Sequence, residues 1–327
     1  MPETALITEL RPADAEGIAL AAQALRAGKL VAFPTETVYG LGADATNGAA
    51  VARIFAAKAR PSINPLIVHV PSADHAFRLG RFNAAAQILA KRFWPGPLTI
   101  VVPLAVDARI STIVTAGLKT IALRVPATKT AQLLLKAAGV PVAAPSANLS
   151  GRMSSTRASH VLEGLGGKVD LILDGGATVI GLESTIVGCT DATPRLLRPG
   201  GVSRGEIEAA LGTRLAALEP ASVPTAPGQL ASHYAPTAAM RLNVDQVEDV
   251  EALLAFGRNL PADADRAVMS LNLSPSGDML EAAVNLFDYL HQLDASGAKC
   301  IAVMPIPNEG LGEAINDRLA RAAAPRA

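Results

Sequence analysis

The chain has 327 residues, half of them apolar and 18% charged, with 29 Lys and Arg balancing 29 Asp and Glu. That composition excludes intrinsic disorder, and the length fits two packed domains. Zero net charge would exclude a strongly anionic partner, but it is a cancellation: residues 1–239 carry 22 basic and 16 acidic side chains, and residues 240–327 carry 7 and 13.

Residues 14–27 have the spacing of an amphipathic helix; Gly28 follows, then the apolar strand Leu30–Phe33, stopped by Pro34. A second helix is predicted over 47–59, a short strand over Pro65–Val70, and a helix over 83–93 before the Trp94-Pro95-Gly96-Pro97 turn. Leu98–Pro103 and Thr120–Val125 read as strands, 128–138 as a helix, and Val140–Ala144 and Val169–Leu173 as strands. Thr185–Gly188 and Arg195–Arg198 form a late hairpin, and Ser203 with Glu206 makes a capping box for a helix over 203–211. Without strict alternation, this pattern predicts a mixed α/β sheet.

Residues 213–238, rich in Ala, Pro and Ser, read as a linker. Beyond it the expected order is strand 240–244, helix 246–257, strand 266–273, helix 278–294, strand 300–306 and helix 312–322. Such a βαβαβα run implies a small parallel sheet.

Several chemistries find no support. Gly40-Leu41-Gly42-Ala43-Asp44-Ala45 imitates a dinucleotide turn, but no acid stands about 20 residues on. There is no P-loop, no nucleophile elbow and no His spacing for zinc. No apolar run approaches the ~18 residues of a membrane span. The N-terminus lacks a secretion signal, and Cys189 and Cys300 make no disulfide framework; both features predict a cytoplasmic protein without a membrane partner.

Charge is sharply local. No acid falls between Asp44 and Asp74 or between Asp107 and Glu163, while ten bases do, including Lys58, Arg60 and Arg124. Acid-free basic stretches in apolar sequence suggest an anion-handling cleft. Three segments interrupt strands with polar residues: Pro34-Thr35-Glu36-Thr37-Val38-Tyr39-Gly40-Leu41-Gly42, Lys58-Ala59-Arg60-Pro61-Ser62-Ile63-Asn64-Pro65-Leu66, and Pro145-Ser146-Ala147-Asn148-Leu149-Ser150-Gly151. Lys58 and Arg60, two apart at a helix end, are expected to project together toward phosphate. Ser146 and Asn148 share one side of an extended chain.

These blocks in this order, with GLESTIVG at 181–188, LRPG at 197–200 and a Pro-Gly-x-Leu-Ala-Ser-His-Tyr-Ala-Pro linker, resemble the YrdC-type domain of the longer, two-domain threonylcarbamoyl-AMP synthases. The resemblance implies an α/β fold: a mixed, twisted open sheet of the YrdC type in residues 1–212, a linker or lid over 213–238, and a smaller Rossmann-like domain over 239–327. It implies condensation of L-threonine, bicarbonate and ATP to L-threonylcarbamoyl-AMP and pyrophosphate. Mg2+ would come with ATP and no metal would be held by the protein alone. The product would pass to a tRNA threonylcarbamoyl transferase, with weak or no direct RNA binding. By matching position, Lys58, Arg60, Ser146 and Asn148 form the catalytic polar tetrad. Arg60, Asn64, Thr120, Ser146, Ser154, Arg198 and Tyr234 match ATP contacts. Thr37, His69, Arg124, Ala144 and Ser184 match L-threonine contacts. Two departures stand out: Gln229 replaces a usual Met, and Met153-Ser154-Ser155-Thr156 lacks two usual prolines, which questions that loop's rigidity. The competing reading is a double-stranded RNA or tRNA-binding module without turnover, whose binding would fall steeply with salt.

Overall fold

The computed structural model describes residues 6–61, 63–216 and 233–325. Most of the predicted linker, Gln229 included, lies outside them. The first part runs β1 (Glu9–Pro12), α1 (Ala15–Arg26), β2 (Val31–Pro34), β3 (Tyr39–Asp44), α2 (Gly48–Lys58), β4 (Ile67–His69), α3 (Ala73–Leu79), α4 (Ala84–Phe93), β5 (Leu98–Pro103), β6 (Thr120–Arg124), α5 (Lys129–Ala138), β7 (Val142–Ala143), α6 (Ala158–Leu165), β8 (Leu171–Asp174), β9 (Thr185–Gly188), β10 (Arg195–Arg198) and α7 (Arg204–Leu211). Helix starts follow local chemistry. The Asp14 carboxylate accepts from the Gly17 N–H, and Ser203 and Glu206 close the predicted capping box before α7.

These strands form one mixed sheet in the order β1-β8-β2-β3-β7-β4-β6-β5-β9-β10. Alternation along each strand sends side chains to two faces. One face carries Ala32, Leu41, Val68, Leu123, Ile100 and Val187 into the main core. On the other, Val31, Phe33, Val142 and Ala144 pack under α1 and α5. That second face continues over β4, β6, β5 and β9, where Ile67, Ala122, Val101 and Ile186 form a small apolar floor. The helices leave this region open, and the polar residues of interest lie above it.

Gly40 and Gly42 lie within β3, not in a strand-to-helix turn, so the imitation dinucleotide motif has a packing role. A Cβ on Gly42 would stand 2.9 Å from both the Phe33 ring and Val142.

The second part runs β11 (Ala239–Leu242), β12 (Glu251–Ala255), β13 (Ser270–Asn272), α8 (Met279–Ala295), β14 (Cys300–Val303) and α9 (Gly312–Ala323). Its sheet is wholly parallel, in the order β11-β14-β12-β13. The predicted helix over 246–257 is instead the strand β12. Its five residues are all buried: Ala252 and Leu254 face one apolar cluster, Leu253 and Ala255 another. A strand buried on both faces reads as a continuous apolar run, without the alternation that marks a strand. Strand β1 and helices α3 and α6 went unpredicted, and β3 hid behind its polar lead-in.

The two parts meet closely. Gly181, at φ 74°, lies against the α8 backbone, where a Cβ would stand 2.4 Å from the Ala283 carbonyl oxygen. Among the described residues no helix is long and apolar enough to cross a membrane. Gly42→Ala is expected to lower stability by ~1–3 kcal/mol through overpacking against Phe33, measured as a fall in the urea midpoint; an unchanged midpoint would refute the packing role.

Candidate active site

Above the small apolar floor lies a cavity lined by Thr35, Thr37, His69, Arg124, Ser184 and Tyr234, with Arg60, Ala144, Ser146, Glu183, Arg198 and His233 also on its wall. Its walls come from the β2–β3 loop, the chain after α2, the ends of β4, β6 and β7, the approach to β9, and β10. About 40 Å³ remains between these side chains, room for a water or two.

The β2–β3 loop is held by its own hydroxyls. Thr35 Oγ1 donates to the Val38 carbonyl at 2.7 Å and shares a 2.8 Å hydrogen bond with Thr37 Oγ1. This turn aims Glu36 at Arg124, whose Nη2 donates to Glu36 Oε1 at 2.6 Å; Glu36 Oε2 accepts from the Ala127 N–H at 2.8 Å. Burial alone would raise the Glu36 pKa, but Arg124 and these hydrogen bonds hold it below the usual carboxylate range. Arg124 is thereby fixed by one edge, beside His69, its partner in the β4–β6 register. Burial and Arg124 push the His69 pKa down to about 3, so its ring is neutral. His69 also packs edge-on to Phe33, with ring centroids 6.2 Å apart.

Arg60 and Lys58 part company. Arg60 follows Ala59, which caps α2 in the left-handed region at φ 49°, and the guanidinium turns into the cavity. Burial, with Arg198 adding to it, pushes the Arg60 pKa down to about 10. Lys58 does not project with it. Its Nζ donates to the Ser146 carbonyl at 2.6 Å and to the Asn148 carbonyl. Burial and the neighbouring Arg60 lower its pKa well below the ordinary lysine value. Lys58 therefore ties the Pro145–Gly151 segment to the end of α2.

Ser146 and Asn148 also separate, because the chain turns after Ser146 bridges Gly40. Ser146 faces the cavity, whereas the Asn148 amide donates to the carbonyls of Leu149 and Arg152 at 2.8 Å and borders a different cleft. Asn64 is wholly buried beside Arg60. Thr120 starts β6, at the opposite end from Arg124 and outside the cavity wall. Ser154 is buried and donates its hydroxyl to Glu183. The loop with the missing prolines is held by hydrogen bonds instead: Ser155 Oγ donates to the Ala147 carbonyl at 2.8 Å, and the Ser155 carbonyl accepts from the Tyr39 N–H at 2.8 Å. Among the described residues, Arg60 Nε, His69 Nδ1 and both amide atoms of Asn64 are buried without a hydrogen-bond partner. Buried polar groups in native proteins are nearly always met by protein, water or ligand.

Tyr234, fully buried at φ 66°, closes the cavity together with His233. Their rings stand 4.0 Å apart. Sequence reading missed Glu36, Glu183 and His233 as site residues. Glu36 and Glu183 stood inside quoted motifs, and His233 beside Tyr234, but their partners lie far away in the chain.

Comparison with known proteins agrees with this fold. The Sua5/YciO/YrdC family model, described as "Telomere recombination", matches residues 23–200. One described as "Threonylcarbamoyl-AMP synthase, C-terminal domain" matches residues 202–324. The Bacillus subtilis threonylcarbamoyl-AMP synthase is 42% identical over 94% of this chain and 93% of its own. The crystal structure of the Pyrococcus abyssi Sua5 protein complexed with L-threonine superposes with a TM-score of 0.86 at 38% identity, over 98% of each chain. A second structure from that organism, of a Sua5 variant with adjacent His and Tyr both replaced by Ala, superposes with the same TM-score at 36% identity, over 97% of this chain and 96% of that one.

The buried histidines make stability depend on pH. His69 and His233 both titrate near pH 3 when folded and near 6.5 when unfolded. A depressed histidine pKa leaves stability whole above pH 6.5 and erodes it as pH falls, by roughly 2 kcal/mol each at pH 5. Urea unfolding at pH 7.5 and 5.0 is expected to show this loss, and His69→Gln to lessen it by about half, His233 keeping the rest; a midpoint independent of pH would refute neutral burial. Motifs, fold and cavity agree, and the chain belongs to the two-domain threonylcarbamoyl-AMP synthase family.

Proposed function

We infer that the chain works as a threonylcarbamoyl-AMP synthase, condensing L-threonine, bicarbonate and ATP to L-threonylcarbamoyl-AMP and pyrophosphate. The observation that carries this reading is the convergence of three buried arginines, Arg60, Arg124 and Arg198, with the hydroxyls of Thr37, Ser146 and Ser184 on one cavity. Such a site suits one small carboxylate and one polyphosphate together.

L-threonine is assigned to the floor. Its carboxylate takes the free edge of Arg124, Thr37 and Ser184 read its hydroxyl, and His69 Nδ1 and the backbone near Ala144 complete the pocket. The amine nitrogen bonds to the carbon of CO2 released from bicarbonate, and the proton it loses joins the hydroxide left by bicarbonate as water, giving a carbamate. A carbamate oxygen then attacks the α-phosphorus of ATP. The bond from that phosphorus to its bridging oxygen breaks, and pyrophosphate leaves with the electron pair. Arg60 and Arg198 neutralise the charge that builds on the phosphoryl oxygens and the Ser146 hydroxyl donates to them, so catalysis is mainly positioning and electrostatics. Lys58 and Asn148 act by holding the Ser146 segment in place. Asn64 and Ser154 are buried behind the cavity wall and Thr120 lies beyond it, so their assignment to the nucleotide rests on the motif match alone. Glu36 and Glu183 are committed to Arg124 and Arg318. They do not form a protein-held metal site, and Mg2+ enters this reading as part of the substrate, MgATP.

With Tyr234 in place the cavity is too small for ATP, so we assign His233 and Tyr234 to a lid over residues 1–212 that opens for substrate and then excludes water from the labile anhydride. Release of the product to a tRNA threonylcarbamoyl transferase, with weak or no direct RNA contact, is the matching partner role in the cytoplasm.

Pyrophosphate release should require threonine and bicarbonate together; equal release without threonine would sink this reading. Arg60→Ala is expected to cut turnover at least tenfold, since a charged phosphate contact contributes about 1.5–3 kcal/mol. Tyr234→Ala should weaken ATP binding more than threonine binding, and unchanged ATP affinity in calorimetry would remove the lid.

A further inference from the structure

Arg318 lies on α9, in the second part of the chain, yet most of its partners lie outside that part. It is wholly buried and is the largest fully buried side chain described. Its Nε donates to Glu183 Oε2 at 2.7 Å and its Nη2 to the Pro199 carbonyl at 2.9 Å. Its guanidinium carbon stands 5.0 Å from the centre of the Tyr234 ring. On its own helix it meets Asp317, through Nη1 at 2.6 Å. Arg318 is absent from the cavity wall, whereas Glu183 and Tyr234 are both on it.

We propose that Arg318 is a positioning residue for the reaction, through which the second domain sets the charge and the closure of the first domain's site. This rests on the synthase reading above. Glu183 is a buried carboxylate on the wall of a cavity that must receive a triphosphate. Left alone it would repel that triphosphate at short range in a medium of low dielectric. Arg318 cancels its charge from behind and leaves Glu183 as an acceptor for the Ser154 hydroxyl. The same guanidinium is a platform for the Tyr234 ring, which meets Phe287 of α8 with centroids 5.6 Å apart. The counter-charge and the two side chains that support the lid ring therefore come from the second domain.

A buried arginine could also serve only as a clamp between domains, and the two roles differ in what they move. Arg318→Met keeps the length of the stem and removes the charge. It is expected to raise the KM for ATP at least tenfold while the KM for threonine changes less than threefold. Arg318→Lys, which keeps the charge and loses the fork, should recover part of the loss. The double variant Glu183→Gln with Arg318→Met removes the carboxylate together with its counter-ion, and Gln can still accept from Ser154. It should bind ATP better than Arg318→Met alone. An ATP KM within twofold of the unsubstituted chain in Arg318→Met, or a double variant no better than the single, would overturn the proposal. So would variants whose losses follow the melting temperature alone, with both KM values moving together. MgATP affinity measured by calorimetry separates this proposal from the synthase reading. If the unsubstituted chain binds MgATP but shows no threonine-dependent pyrophosphate release, that reading fails, and the affinities of the three variants still decide the role of Arg318.

Discussion

The structure turns on the cost of keeping positive charge out of water. Arg60, Arg124 and Arg198 are buried around one cavity, and Lys58 is buried two residues before Arg60 at the end of α2. An isolated buried cation is strongly disfavoured, and each of these has a local solution. Lys58 spends its charge on two carbonyls, Arg124 on Glu36, and Arg198 in part on the Ser184 carbonyl at 2.9 Å. Arg60 has the weakest support, two carbonyl contacts at 3.2 and 3.5 Å with Nε unmet among the described residues. The site is thus most under-compensated where a polyanion would complete it. The mixed sheet makes this possible, because α1 and α5 cover only half of the sheet face beneath the cavity.

Neutrality of the whole chain has a structural counterpart. The excess bases of the first part meet the excess acids of the second at their junction: Arg157 pairs with Asp288 and Arg204 with Glu313, the latter at 2.6 Å. Both pairs are partly exposed and contribute little stability. They set register between the two parts more than they hold them together. The apolar cluster beneath them does the holding, since it joins Val38, Met153 and Leu182 of the first part to Leu286 and Phe287 of α8. The pair of Glu183 with Arg318 runs the opposite way, acid from the first part and base from the second, and it alone of the three is fully buried. A buried pair is weak evidence for stability, since its desolvation cost can match its attraction.

Much of this was legible in the sequence where one residue's chemistry decides its neighbours' conformation. The capping box at Ser203, the strands flanking Thr120–Arg124 and the polar blocks on the cavity all rest on local rules. What was not legible depends on partners distant in the chain. Nothing near Glu36 announces Arg124, 88 positions on, and nothing near Glu183 announces Arg318, 135 positions on. The expectation that Lys58 and Arg60 project together failed for the same reason: two carbonyls brought in by another loop capture the lysine. Strand β12 was misread because burial on both faces erases the alternation that would mark it. The loop at Met153–Thr156 shows the reverse, since hydrogen bonds supply the order that proline rings were expected to supply.

Tyr234 is subject to opposing local effects. A tyrosine in the left-handed region costs roughly 1–2 kcal/mol. A desolvated cation–π contact such as that of Arg318 with Tyr234 returns about the same. Immediately beyond Tyr234 the chain is pinned from both sides. Arg152 donates to the Pro236 carbonyl and to Thr237 Oγ1, and Asp294 accepts from the N–H groups of Thr237 and Ala238 at 2.8 Å. His233 and Ala235 are held as well, the His233 N–H donating to the Arg321 carbonyl at 3.1 Å and the Ala235 N–H to the Gly151 carbonyl at 2.8 Å. Backbone strain and the cation–π contact thus act in opposite directions on Tyr234, the residue assigned to the lid. The second of these comes from the second domain, which holds the guanidinium.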